Sequence, residues 1–134
     1  MSGGRPPSGW RRALGGRSRR EGRGAEWIAA VWLMLKGYRI LGFRLASRAG
    51  EIDILARRGR VLAVVEVKRR ATLEAAMLAL HPEQHRRLLA AGAAVARSRR
   101  SLAGLELRID MVALAPGRIP RHLRAIEAQG SGGP

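Results

Sequence analysis

The sequence predicts an α/β sandwich built on a mixed β-sheet, with its elements in the order αβββαβ. Three observations carry the prediction. Apolar residues between about 21 and 36 recur with helical spacing, the stretch from Tyr38 to Arg70 changes to two-residue alternation, and a second helical stretch starting at Pro82 separates it from one further strand-like run. Three consecutive strands joined by short turns pair antiparallel, and the second helix then returns the chain for the last strand.

Residues 1–20 are Gly, Pro, Ser and Arg with little apolar content and read as a disordered basic arm, in which Trp10 and Leu14 are too isolated to form a core. A twin-arginine export signal at Arg11-Arg12 is disfavoured, because Glu26 opens the apolar run and no small-residue cleavage site follows. The single domain is expected over residues 21–128. Its first helix runs from about Glu21 to Lys36 and ends at Gly37, with Lys36 in the last turn. The apolar run Trp27–Leu35 is far shorter than the roughly 20 residues of a membrane span, so it is expected to be a core helix packed on most sides.

Tyr38 to Ala46 suggests the first strand, with Ile40, Gly42 and Arg44 alternating with Leu41, Phe43 and Leu45. Gly50 to Arg70 reads as a β-hairpin turning at Arg58-Gly59. Ala71 to Leu80 is Ala-rich with helical tendency. Pro82 opens the second long helix, which runs to about Arg99 with Leu88, Leu89, Ala91, Gly92 and Val95 as its inward stripe. Leu105 to Leu114 is the last main strand, carrying Asp110 in a structural pair with Arg108. His122 to Ala128 is an edge strand or a short helix, and residues 129–134 form a flexible tail.

Composition narrows the function. A chain of 134 residues with a formal charge of +16 is one domain whose arginine density points to a polyanionic partner, nucleic acid before a membrane surface. It has no cysteine, which excludes disulfides and thiolate metal sites and is compatible with the cytoplasm. The three histidines, His81, His85 and His122, suit no zinc-site spacing. One Tyr and one Phe argue against single-strand recognition by base stacking.

The chemistry concentrates in the hairpin. Glu66 and Lys68 share a strand face with Cα atoms roughly 6.6 Å apart, and an even-numbered turn brings Asp53 to the same face. Two adjacent carboxylates repel unless a cation lies between them or a pKa rises. Mg²⁺, or Mn²⁺, is the natural occupant, being a hard ion that takes oxygen ligands beside a phosphate, and the chemistry suggested is metal-assisted phosphodiester hydrolysis. Glu-x-Lys is also a common surface pair. Here Val61–Val67 is almost wholly apolar, as in a buried strand. Lys36 and Lys68 are moreover the only lysines in an arginine-rich chain, which hints at a site wanting a compact point charge.

Gly50-Glu51-Ile52-Asp53 followed by Glu66-Val67-Lys68 resembles the PD-(D/E)xK nuclease signature and, with Gly24-Ala25-Glu26, Gly37-Tyr38-Arg39-Ile40-Leu41 and Arg108-Ile109-Asp110 in order, the YraN family of small bacterial proteins, itself similar to archaeal Holliday-junction resolvases. The resemblance covers about residues 22–128. It implies a restriction-endonuclease-like fold and a metal-dependent nuclease acting on branched or otherwise structured DNA. Asp53, Glu66 and the Val67 carbonyl would hold the ion, Lys68 would stabilise the transition state, and Glu51 would assist from behind. Glu26, whose place in the first helical turn also suits the helix dipole, would point at the same site. Arg69, Arg70, Gln84, Arg86 and Arg87 are candidate substrate contacts. The family often carries a lysine where this chain has Gln84-His85, so a nuclease fold that binds nucleic acid without cleaving it is the alternative. An RNA- or ribosome-associated basic protein is a third reading. Likeness to resolvases also implies a homodimer, though the residues themselves mark no self-complementary surface.

Overall fold

The computed structural model describes residues 24–126, and the basic arm, the tail and the outer ends of the first and last predicted elements lie outside them. A helix over residues 24–35 (α1) leads into three strands, Arg39–Ala46 (β1), Glu51–Arg58 (β2) and Val61–Arg69 (β3). A short helix Leu73–Met77 (α2), the long helix Pro82–Ser98 (α3) and a 3₁₀ turn Arg100–Leu102 follow. Strands Glu106–Leu114 (β4) and Arg121–Leu123 (β5) complete the described chain.

Local chemistry sets the boundaries. Gly37, at φ +94, closes α1: its N–H donates to Met34 O and that of Tyr38 to Leu33 O, both at 3.0 Å, an end that favours glycine because it needs the left-handed region. The β2–β3 turn consists of Gly59 and Arg60, one step later than Arg58-Gly59, with Gly59 at φ +61 in the first central position. Only five residues of the Ala-rich 71–80 stretch are helical, started by Thr72 Oγ1 accepting from Ala75 N–H at 3.1 Å. Pro82 sits in the first turn of α3, where its missing N–H leaves nothing unsatisfied.

The sheet has strand order β1-β2-β3-β4-β5. β1–β2, β2–β3 and β4–β5 pair antiparallel and β3–β4 parallel, from Val61↔Glu106 to Arg69↔Leu114. The parallel pair requires the crossover that α2 and α3 provide. Helices therefore cover both faces of a five-stranded mixed sheet, the restriction-endonuclease-like arrangement.

Alternation along β3 divides the core. Ala63 and Val65 pack with Ala29, Leu33, Ile54 and Val112 beneath α1, while Leu62 and Val64 pack with Leu55, Leu88, Ala91 and Met111 beneath α3. Glu66 and Lys68 continue the α3 side by parity. A Cβ at Gly92 would lie 2.7 Å from Val64 Cγ2 and 3.0 Å from Leu107 Cδ1, so α3 rests on the sheet where it has no side chain.

Several expectations are corrected. Leu89 lies outside the inward stripe and is exposed, one helical step beyond Leu88. β1 does not alternate evenly, because its register shifts between Ile40 and Gly42 and Arg44 takes φ 48. The alternative left open for residues 122–128 resolves, in its described part, as an edge strand over residues 121–123. The first helix packs on one side only: Ala25, Ala29, Ala30 and Leu33 are buried, whereas Trp27, Ile28, Val31, Met34 and Leu35 are exposed. No helix among the described residues is long and apolar enough to cross a membrane.

Candidate active site

The hairpin register makes the site. Ile54 pairs with Val65, so one further step of the antiparallel ladder sets Asp53 opposite Glu66. At that level Asp53 Oδ2 accepts the Val67 N–H at 2.8 Å, a side chain taking a backbone donor at the end of the β2–β3 ladder. Glu66 Oε2 is gripped twice, by Lys68 Nζ at 3.0 Å and by Gln84 Nε2 at 2.7 Å. Asp53, Glu66 and Lys68 thus converge, and Gln84 of α3 joins them, since Pro82 starts that helix above the C-terminal end of β3.

Burial is the first reason that the Asp53 carboxyl is pushed up to about 8, and the Glu66 carboxylate is the second; the Val67 N–H opposes both, and Glu26 adds a further push upward. A proton on Asp53 relieves its repulsion with Glu66. A divalent cation relieves the same repulsion that this proton relieves, and two carboxylates offer the oxygen donors a hard ion takes. No group of three or more His, Asp or Glu side chains able to hold a metal occurs among the described residues. An ion here would therefore complete its ligands with the Val67 carbonyl and water. The residues fit Mg²⁺ or Mn²⁺ on those terms.

The other candidates divide. Glu26 is buried in the first described turn of α1, close enough to act on Asp53 but ion-paired with Arg44. Arg87 lies one turn along α3 from Gln84 and against Gly50, whose Cβ position is 3.6 Å from Arg87 Cβ, so it borders the site. Arg86, two positions from Gln84, projects from another side of the helix. Arg69 and Arg70 are exposed just past Lys68, with Arg70 N–H donating to Leu114 O at 3.1 Å. Glu51 is exposed at the start of β2, one alternation from Asp53.

Arg44 is a site-bordering residue that pattern reading passes over. Alternation counts it as one more polar position, and only its left-handed backbone beside a register shift turns it toward Glu26. A second polar cluster lies under the C-terminal end of α1. Asp110, fully buried, accepts from Arg108 Nε and Nη2, both at 2.8 Å, as the expected pair, and also from the Ala125 N–H at 3.1 Å. His122 Nε2 lies 2.8 Å from Asp110 Oδ2, and Lys36 Nζ donates to His122 Nδ1 at 2.6 Å. Burial alone would raise the Asp110 carboxyl, but the bonds from His122, Arg108 and Ala125 outweigh it and hold the group down to about 2. Burial, with Arg124 and other cations, lowers Lys36. This cluster ties β4, β5 and the end of α1 together.

Residues 25–114 match the model of a family described as "Uncharacterised protein family UPF0102". The chain is 57% identical over 116 residues to a UPF0102 protein of Caulobacter vibrioides (strain NA1000 / CB15N), covering 87% of this chain and 93% of that one. It is 58% identical over 113 residues to one from Caulobacter sp. (strain K31), covering 84% and 81%. A UPF0102 protein of Maricaulis maris (strain MCS10) is 48% identical over 104 residues, covering 78% and 82%. With the hairpin acids, the lysine beside them and the mixed sheet all in place, the chain belongs to UPF0102, the YraN family.

Proposed function

We propose that this protein is a metal-dependent endonuclease hydrolysing DNA phosphodiesters, with branched or structured DNA as its substrate. The observation that carries the reading is the convergence of Asp53, Glu66 and Lys68 at the end of a buried strand, with Asp53 Oδ2 accepting the Val67 N–H at 2.8 Å and Lys68 Nζ 3.0 Å from Glu66 Oε2. Asp53, Glu66 and the Val67 carbonyl would hold Mg²⁺ or Mn²⁺, which when bound supplies Lewis acidity at the phosphate. Lys68 brings a point charge to the negative charge that develops there. Gln84 fixes the rotamer of Glu66, and the Val67 N–H fixes that of Asp53. Arg87, Arg69 and Arg70 supply exposed positive charge near the site for backbone phosphates.

The test is cleavage of supercoiled plasmid and of a four-way junction by purified protein, with Mg²⁺ or Mn²⁺, beside Asp53→Asn and Lys68→Ala. Loss of metal-dependent cleavage in both variants is expected; cleavage that survives both removes the site from the reaction.

One observation favours a second reading, a nuclease fold that binds nucleic acid without turnover: Glu66 Oε2 is already engaged by both Gln84 and Lys68. Calorimetry separates the two, since a working site binds a divalent cation through Asp53 and loses it in Asp53→Asn, while the binding-only protein shows salt-sensitive DNA affinity alone.

A further inference from the structure

The two faces of α1 do not match the environment they meet. Trp27 to Leu35 contains no ionisable side chain, and a helix apolar all round is normally buried all round. Here only the side with Ala25, Ala29, Ala30 and Leu33 is covered by the sheet. The opposite side leaves Trp27 61% and Leu35 77% exposed, with Ile28, Val31 and Met34 each about half exposed. At 100° per residue these five side chains occupy one arc of roughly 120° centred on Val31, clear of the buried arc.

Their order along the helix is symmetric. Val31 is the midpoint, Ile28 and Met34 stand three residues to either side, and Trp27 and Leu35 four to either side. If a second α1 is laid antiparallel across the first on a two-fold axis through Val31, each residue faces its mirror position. Trp27 then meets the partner's Leu35, Ile28 meets the partner's Met34, and the two valines meet on the axis. This is the self-complementarity that an isologous interface demands. Large and smaller apolar side chains oppose each other, as interdigitation requires.

Symmetry and area favour a second copy, and this face is the approach that charge opposes least. Two chains of net charge +16 repel across most approaches, and this stretch of α1 brings no positive side chain of its own to the contact. Five large side chains at about half exposure present on the order of 500 Å² per protomer, so two copies bury about 1,000 Å² before any flanking residue is counted, the threshold of a specific interface. We infer that the outer face of α1 is the two-fold interface of a homodimer of this chain, with Val31 on the axis.

The experiment uses the full chain, without nucleic acid. Sedimentation equilibrium from roughly 1 to 100 μM should give a mass of twice 14.6 kDa at the upper end, and Val31→Asp should weaken association about 100-fold by burying two unpaired carboxylates on the axis. Because the protein has no cysteine, Val31→Cys should form an intermolecular disulfide under mild oxidation, far faster than Ala90→Cys on the exposed side of α3. If Val31→Asp fails to fold, by its thermal melt, the two cysteine variants decide. A monomer throughout the range overturns the inference, as does Val31→Cys that crosslinks no faster than Ala90→Cys. A dimer insensitive to Val31→Asp moves the interface elsewhere. A monomer that co-sediments with anionic vesicles, and loses this in Val31→Asp, assigns the face to a lipid surface instead.

Discussion

Asp53→Asn isolates the electrostatics of the site from its shape. Asparagine keeps the oxygen that accepts the Val67 N–H and carries no charge to repel Glu66. In the wild-type protein the Asp53 carboxyl is raised from 3.8 to about 8 by burial and by Glu66. Between those values the native state holds a proton that the unfolded chain has released, so stability falls as pH rises and stops falling once pH passes the native pKa. Each pH unit in that window removes about 1.4 kcal/mol, so the wild type should lose about 4 kcal/mol between about pH 5 and pH 8 relative to Asp53→Asn. Titrations of groups that do not interact with Asp53 cancel in the difference between the two proteins. Urea unfolding of both at the two pH values, with chelator present, measures it. Adding Mn²⁺ at the higher pH should then restore about 2.7 kcal/mol to the wild type at a hundredfold excess over Kd, and nothing to the variant. Parallel pH profiles, or equal stabilisation by Mn²⁺, would refute the account of a proton and a cation competing for one pair of carboxylates.

Lys68→Ala should lower single-turnover cleavage by about 10²- to 10³-fold with little change in DNA affinity, because its charge matters most where negative charge develops; rate and filter-binding measurements together check this. Asp110→Ala should destabilise the fold by about 3–5 kcal/mol in urea at neutral pH, by stranding the partly buried Arg108 guanidinium. The wild-type protein should also lose about 2 kcal/mol as acid titrates Asp110 from its unfolded value down through its native pKa of about 2, the direction expected of a lowered carboxylate. Replacing Arg69, Arg70 and Arg87 together by alanine should reduce the slope of log affinity for duplex DNA against log salt by up to about 2.7, read from a salt titration.

The hairpin was legible because strand periodicity is local. Once the turn holds an even number of residues, parity alone carries Asp53 to the face of Glu66 and Lys68, and the two-residue Gly59-Arg60 turn satisfies that condition although it sits one step from the expected one. Element order and sheet topology followed from the same switch between helical and alternating patterns. The pairing of Glu26 with Arg44 was not legible, since it depends on a register shift and a left-handed backbone that alternation hides. Of the second cluster the Arg108–Asp110 pair was legible, but its extension to His122 and Lys36 was not. Lys36 and His122 are 86 positions apart, and only the antiparallel docking of β5 on β4 brings the histidine to Asp110. The outer face of α1 was misread for a different reason. Apolar character predicts that a surface is covered, but not whether the cover comes from the same chain.

Gly92 has a reach beyond its own contact. Val64 Cγ2 fills the place where its side chain would be, which fixes the height of α3 over the sheet, and Gln84 stands eight residues up the same rod, about 12 Å away. Adding one methyl there would jack the helix outward and tilt its tip, so that Gln84 loosens from Glu66 with every polar group of the centre still present. On the proposed function Gly92→Ala should therefore resemble an active-site lesion in its kinetics while leaving the reactive groups untouched, since the geometry of the candidate site is inherited from a contact buried beneath α3.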